Sequence, residues 1–205
     1  SRMLRVQNAL KDALASATNI NAGLMRFSDH GGPILYPTTN IDQSIDAQLS
    51  SSTNASANDG YEISSSVYTN TDEIILSFST SPVTSAFRFE DLNIPRGATI
   101  TSAYLKFTSA QYNIASTNIT IAGELTGDSS ALTSASGSIS GKMQTAAVVD
   151  WSVDNDFPSD GNDVSSPDIT PVIQEIIDQS SWCGNNALTV LINGEGTSTS
   201  SNRRV

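Results

Sequence analysis

The chain has 205 residues, of which 38% are hydrophobic and 15% are charged, and its formal net charge is −11. Nucleic acid is not an expected partner, because phosphate contacts need a basic surface and 21 acidic residues outnumber 10 basic ones. No apolar run approaches the roughly 20 residues that cross a bilayer, so no membrane span is expected. The single cysteine, Cys183, excludes a disulfide within the chain. The length allows one large domain, or a small domain preceded by a fragment of another.

Residues 1–42 predict a helix followed by two strands. Apolar residues recur at three- and four-residue steps along one face of the helix: Met3, Val6, Leu10, Ala13, Leu14 and Ala17. The apolar run Ile20–Phe27 then predicts a buried strand, and the break at residues 30–33 separates it from a short strand, Ile34–Tyr36. One helix and two strands cannot cover their own apolar faces, so this fragment is expected to need additional sheet.

Residues 43–60 are rich in Ser, Asn, Asp and Ala and predict a linker. From Tyr61 onward, apolar and polar residues alternate, which is typical of antiparallel strands with one buried and one solvated face. The alternation occurs in five segments, at residues 74–78, 87–89, 103–107, 119–121 and 188–192. Many short strands separated by turn residues indicate a β-sandwich over residues 61–205.

One short helix is expected to interrupt this β region. Thr170 is a suitable N-cap and Pro171 suits the first helical position. An apolar stripe follows, while Gln174 and Glu175 are expected to face water. The stripe consists of Ile169, Val172, Ile173, Ile176 and Ile177. Trp182 is expected to pack where the chain returns to its last strand, with Cys183 half-buried beside it.

The N-terminal region resembles the von Willebrand factor A domain. The resemblance lies in Leu4–Leu14 for the first helix, Asn21–Ser28 for the next strand and Gly32–Pro37 for the strand after that. Related sequences occur in bacterial surface proteins, including relatives of the type IV pilus tip adhesins. The metal-binding loop of that family precedes the matching helix, so its metal site is not carried onto any residue here.

The remainder resembles the jelly-roll modules of DNRLRE type, which are related to carbohydrate-binding modules. Four segments carry the resemblance in the family's order: Ala86–Phe89, Ile94–Phe107, Asp168–Ile177 and Asn186–Ile192. It implies a jelly-roll β-sandwich, and it says little about function because one sandwich architecture serves many roles. The simplest joint interpretation is a β-sandwich inserted into a von Willebrand domain soon after its third strand.

An acidic run near the C-terminal third of the chain is a candidate calcium site. Calcium takes six to eight oxygen ligands from a flexible loop. The candidate ligands are Asp154, Asp156, Asp160, Asn162 and Asp163. Their spacing departs from the EF-hand pattern, and the alternative is a solvated acidic loop that keeps the protein soluble.

Aromatic residues on strand surfaces are candidates for stacking on sugar rings. The candidates are Tyr61, Tyr68, Tyr104, Tyr112 and Trp151. Tyr104 is the best single candidate, because it points away from the buried face of its predicted strand. The alternative for each tyrosine is ordinary surface or cross-strand packing.

Catalysis finds little support in the sequence. His30 is the only histidine and stands in a glycine-containing turn, with no nucleophile motif beside it. A glycosidase would need two carboxylates across a cleft, for which Glu90, Glu124 and Glu175 are available.

The sequence therefore predicts a non-enzymatic, extracellular structural or adhesive module of a bacterial surface or pilus-associated protein. Its expected partners are other protein subunits, in a homo-oligomer or filament, or cell-surface glycans. The alternatives are a carbohydrate-binding module and, with less support, a hydrolase.

Overall fold

The structure, a computed structural model, describes residues 21–25, 34–40, 58–69, 71–92, 94–110, 116–153, 161–184, 186–195 and 202–205, the first two ranges by their backbone alone. The predicted N-terminal helix and most of the predicted linker lie outside these ranges. The described residues form antiparallel β-sheets and one short helix, so the protein is mainly β and consistent with a β-sandwich.

The two predicted N-terminal strands are present. β1 (Asn21–Met25) pairs antiparallel with β2 (Ile34–Asn40) in a two-stranded sheet. The register runs from Asn21 opposite Asn40 to Met25 opposite Ile34. The second strand extends four residues beyond the Ile34–Tyr36 segment that its apolar residues predicted.

The other strands belong to three antiparallel sheets. In chain order they are β3 (Asp59–Ile63), β4 (Ser66–Thr69), β5 (Ile75–Ser77), β6 (Val83–Phe89), β7 (Lys106–Thr108), β8 (Thr117–Gly123), β9 (Val149–Val153), β10 (Asp163–Ser165), β11 (Leu188–Gly194) and β12 (Arg203–Arg204). Six of them form one sheet in the order β4-β3-β6-β11-β8-β9. β7 pairs with β10, and β5 pairs with β12. Strands that are far apart in the sequence are therefore neighbours in the same sheet.

The main hydrophobic core lies on one face of the six-stranded sheet. Leu188, Val190 and Ile192 of the central strand β11 enter it, as their alternation predicts. The prediction of a solvated opposite face is wrong for β11, because Leu191 is fully buried there in a second cluster with Ala86 and two residues of the segment 125–148. Those two residues are Leu132 and Ile139. Both faces of the sheet's centre are thus covered.

The helix α1 (Thr170–Ile177) packs on β8 with its predicted apolar stripe buried. The approach is close, since a Cβ added to Gly123 of β8 would lie 2.5 Å from Cδ1 of Ile176. The predicted N-cap is shifted by one residue: Ile169 occupies that position, and Thr170 is already helical. The carboxylate of Asp168 accepts the Thr170 backbone N–H at 2.9 Å, which satisfies one of the amides left unpaired at the helix start.

Two side-chain predictions around α1 have different outcomes. Trp182 is fully buried and donates its indole N–H to the carbonyl of Ile94 at 2.9 Å, which confirms its packing role. Gln174 and Glu175 do not simply face water, because each holds a neighbouring segment. Glu175, for example, accepts the backbone N–H groups of residues 146 and 147. Within the described residues, no helix has the length and apolar character that a membrane crossing requires.

Candidate ligand-binding pocket

An open pocket of about 330 Å³ lies between β3, the segment 71–73, β5 and β12. Its lining residues are Tyr61, Thr71, Asp72, Glu73, Ile75 and Arg204. The volume falls at the lower end of the roughly 300–1,000 Å³ of small-molecule sites. The pocket therefore suits one small ring or one terminal unit of a larger ligand.

The C-terminal strand β12 supplies one wall of the pocket. Arg204 lies opposite Ile75 of β5, and Val205 exchanges two backbone hydrogen bonds with Ile74, at 2.7 and 3.0 Å. The amide side chain of Asn202 also accepts the backbone N–H of Ser79 at 2.9 Å. These contacts place the guanidinium of Arg204 beside residues more than 100 positions earlier in the chain.

Tyr61 supplies an aromatic wall of the pocket, and Tyr68 stacks on it. β3 and β4 are joined by Ser64 and Ser65, which adopt positive φ angles of 49° and 67°, as a tight hairpin turn requires. The hairpin sets Tyr61 directly opposite Tyr68, with ring centroids 4.9 Å apart and planes inclined by 17°. Tyr68 remains 43% exposed. Burial, followed by the neighbouring Tyr68, raises the pKa of the Tyr61 hydroxyl.

Charged groups form the polar part of the site. Nη1 of Arg204 lies 3.0 Å from Oε2 of Glu73, and both side chains are partly exposed. The Nε of Arg204 is buried, and within the described residues it has no hydrogen-bond partner. The exposed carboxylate of Asp72 also has neither a hydrogen bond nor an ion pair in that part of the chain. Among the described lining residues, two carboxylates stand against one guanidinium, which gives this part of the pocket an excess negative charge.

The aromatic candidates predicted from the sequence separate into three groups. Tyr61 lines the pocket, and Tyr68 stacks on it without being among the described lining residues. Tyr104 is 59% exposed, as its alternation predicts, but it does not line this pocket. Trp151 is wrong as a sugar platform, because it is only 7% exposed and stacks on Phe107 in the main core. Tyr112 lies outside the described residues.

Only two of the five candidate calcium ligands are described. Asp154, Asp156 and Asp160 lie outside the described ranges. Asp163 pairs with Lys106 at 2.6 Å, and the hydrogen bond from this lysine lowers the pKa of the Asp163 carboxyl. The backbone carbonyl of Asn162 accepts the N–H of Ser109. No group of three or more potential metal ligands occurs among the residues that the structure describes, and calcium binding stays a prediction.

The three glutamates available for hydrolysis each have structural partners. Glu90 forms an ion pair with Arg88, and Glu175 holds two backbone amides. Glu124 pairs with Lys142 at 2.8 Å and accepts the hydroxyl of Ser129. Cys183 is exposed, so the expectation that it is half-buried is wrong. His30 lies outside the described residues.

The residues that sequence reasoning missed are Asp72, Glu73 and Arg204. The Glu73 and Arg204 partners are separated by 131 positions, and no local pattern marks either of them. A two-residue hairpin between two tyrosine-bearing strands is a signal that could have paired Tyr61 with Tyr68. No known protein family, curated protein or solved structure matches the chain.

Proposed function

We propose that the chain is a non-enzymatic adhesive module of a bacterial surface or pilus-associated protein, with a jelly-roll sandwich of DNRLRE type that acts outside the cell. The observation that carries this proposal is the pocket that Tyr61 lines together with the Glu73–Arg204 ion pair, with Tyr68 stacked on Tyr61. An aromatic or apolar lining combined with a small number of well-placed polar groups is typical of ligand sites. The structural contacts of Glu90, Glu124 and Glu175 favour binding over hydrolysis.

A glycan is the ligand class that best fits a pocket lined by a tyrosine and charged groups. This favours the interpretation of the chain as a carbohydrate-binding module. A tyrosine ring provides a flat apolar contact area with a polar hydroxyl at one end. Carboxylates accept hydrogen bonds from hydroxyl groups, and the planar guanidinium of Arg204 donates several in a fixed geometry. A sugar ring presents both an apolar face and a rim of hydroxyls, so it uses both parts of the pocket.

A comparison of two tyrosine variants tests this assignment. Tyr61→Leu is expected to weaken binding on a glycan array by about tenfold, because it removes an aromatic contact from the lining of the pocket. Tyr104→Leu is the matched control, since Tyr104 is an exposed tyrosine outside the pocket. Thermal melts of both variants check that the fold is kept. Loss of binding in Tyr104→Leu alone would move the site to Tyr104, and no glycan binding by the parent chain would refute the ligand class.

Self-assembly through the N-terminal region is the second part of the proposal. Within the described residues β1 and β2 form a sheet of only two strands, and such a hairpin is marginally stable by itself. Unpaired strand edges bind further strands readily. Removal of residues 1–42 is therefore expected to convert an oligomer into a monomer, as measured by sizing with light scattering. If both forms are monomeric and equally stable, the assembly proposal fails.

A further inference from the structure

We infer that the Tyr61 pocket prefers a sugar carrying a protonated amine over a neutral or an acidic sugar with the same ring. This inference rests on the proposed glycan binding and specifies its chemistry. Three charged groups among the described residues line the pocket, and they differ in whether they already have an ion-pair partner.

The carboxylate of Asp72 is the group that a cation would meet. Glu73 is already compensated by Arg204, at 3.0 Å. Asp72 is exposed and, within the described residues, has no partner of its own. An ammonium group placed beside it would form a new ion pair without breaking an existing one. The net charge of −11 adds a long-range field of the same sign.

The tyrosine pair supports the same preference. The face of an aromatic ring carries partial negative charge and attracts cations within about 6 Å of its centre. Tyr61 lines the pocket beside Asp72, and Tyr68 stacks on it. An amine on a sugar bound in this pocket would have an aromatic ring and a carboxylate in the same lining, and a hydroxyl in its place would gain less from either.

An acidic sugar meets the opposite situation. Arg204 is the only cation among the described residues that line the pocket, and its guanidinium is engaged by Glu73. A ligand carboxylate would have to displace Glu73 and would then lie near Asp72. Like charges at this range are unfavourable, so uronic acids are expected to bind most weakly.

The preference should be modest and sensitive to salt. Exposed ion pairs contribute about 0.2–1 kcal/mol, so the amine is expected to improve affinity by about 1.4- to fivefold. The Debye length falls from about 10 Å at 0.1 M to about 3 Å at 1 M ionic strength. Raising the ionic strength over this range should reduce the difference between the amine and its neutral counterpart.

The experiment titrates the full chain separately with glucosamine, glucose, glucuronic acid and a lysine peptide. Binding is measured by NMR at a pH where the amine is protonated. Asp72→Asn is expected to abolish the preference for glucosamine over glucose. Asp150→Asn is the matched control, because Asp150 is an exposed aspartate on β9, at the opposite edge of the sheet from β4. It makes the same change in net charge and should leave the preference intact.

The outcomes separate this inference from the proposal on which it rests. Equal binding of glucosamine and glucose, or an unchanged preference in Asp72→Asn, overturns the inference while the glycan proposal stands. Tighter binding of a lysine peptide than of glucosamine overturns the assignment to a sugar. No binding of any sugar overturns the glycan proposal itself.

Discussion

Replacing Glu62 by glutamine is expected to lower the free energy of unfolding by about 3 kcal/mol, because a buried carboxylate loses charge-assisted hydrogen bonds. Glu62 is 5% exposed and accepts the backbone N–H groups of Gly137, Ser140 and Ile139, at 2.7, 2.9 and 3.3 Å. An amide has only one oxygen and would direct its own N–H groups at some of these donors. Urea unfolding at neutral pH measures the loss.

The loss of these hydrogen bonds is expected to affect a whole segment and not only the side chain of Glu62. The three amides belong to the segment 125–148, which covers Leu191 of the central strand through Ile139. Glu195→Gln is the matched control, because Glu195 is exposed and its replacement should leave stability within about 0.5 kcal/mol. An unchanged stability of Glu62→Gln would show that apolar contacts alone hold the segment in place.

The contribution of Glu62 to the free energy of unfolding depends on pH. Burial by itself would raise the pKa of Glu62, but the hydrogen bonds from Ser140, Gly137 and Ile139 together lower it below its ordinary value of 4.5. A lowered folded-state pKa contributes stability that is present above the unfolded value and is lost as the pH falls through the folded value. The difference between the parent chain and Glu62→Gln should therefore decrease as the pH falls below 4.5.

Replacing Asp59 by asparagine is expected to have the opposite effect, a gain of about 2 kcal/mol at pH values above 7. Asp59 is 1% exposed, and neither of its carboxylate oxygens has a hydrogen-bond partner in the described part of the chain. Burial raises its pKa from 3.8 to about 6. An uncharged amide avoids the cost of burying the charge, although it still buries a polar group.

The sign of the pH dependence distinguishes Asp59 from Glu62. A raised folded-state pKa gives stability that is complete below pH 3.8 and is lost as the pH rises through about 6. Urea unfolding at several pH values should show the Asp59→Asn advantage above pH 6 and its disappearance near pH 4. Asp150→Asn, on an exposed site, should show no such change. A variant less stable than the parent at high pH would mean that the carboxylate is a required acceptor.

The local pattern of the sequence predicted some of the elements of the fold, but not β3, β4, β9, β10 or β12. Period-two alternation located β8 and β11, and the three- and four-residue spacing of Val172, Ile173 and Ile176 located α1. The apolar runs also located β1 and β2 in the correct order. These predictions succeed because the geometry of one strand or helix determines which of its own residues share a face.

The alternation within a strand could not show whether other segments cover one face of the sheet or both. The alternation of β11 predicted one solvated face, yet Leu191 is buried by a segment that has no regular periodicity. On β3, Asp59 and Glu62 are acidic residues three positions apart that point to opposite faces. Asp59 has no hydrogen-bond partner among the described residues and Glu62 holds three amides, and the packing of distant segments makes that difference.

The candidate pocket shows the same division between local and non-local information. Tyr61 and Tyr68 were recognisable by residue type, and a two-residue hairpin joins their strands. Glu73 and Arg204 are 131 residues apart and meet because β12 pairs with β5. The sequence by itself thus determined some of the elements and which of their faces enters the main core. Strand order, the covering of the second face and the assembly of the pocket were decided by the tertiary structure, because pairing between distant strands depends on the whole chain's packing and not on the pattern within either strand.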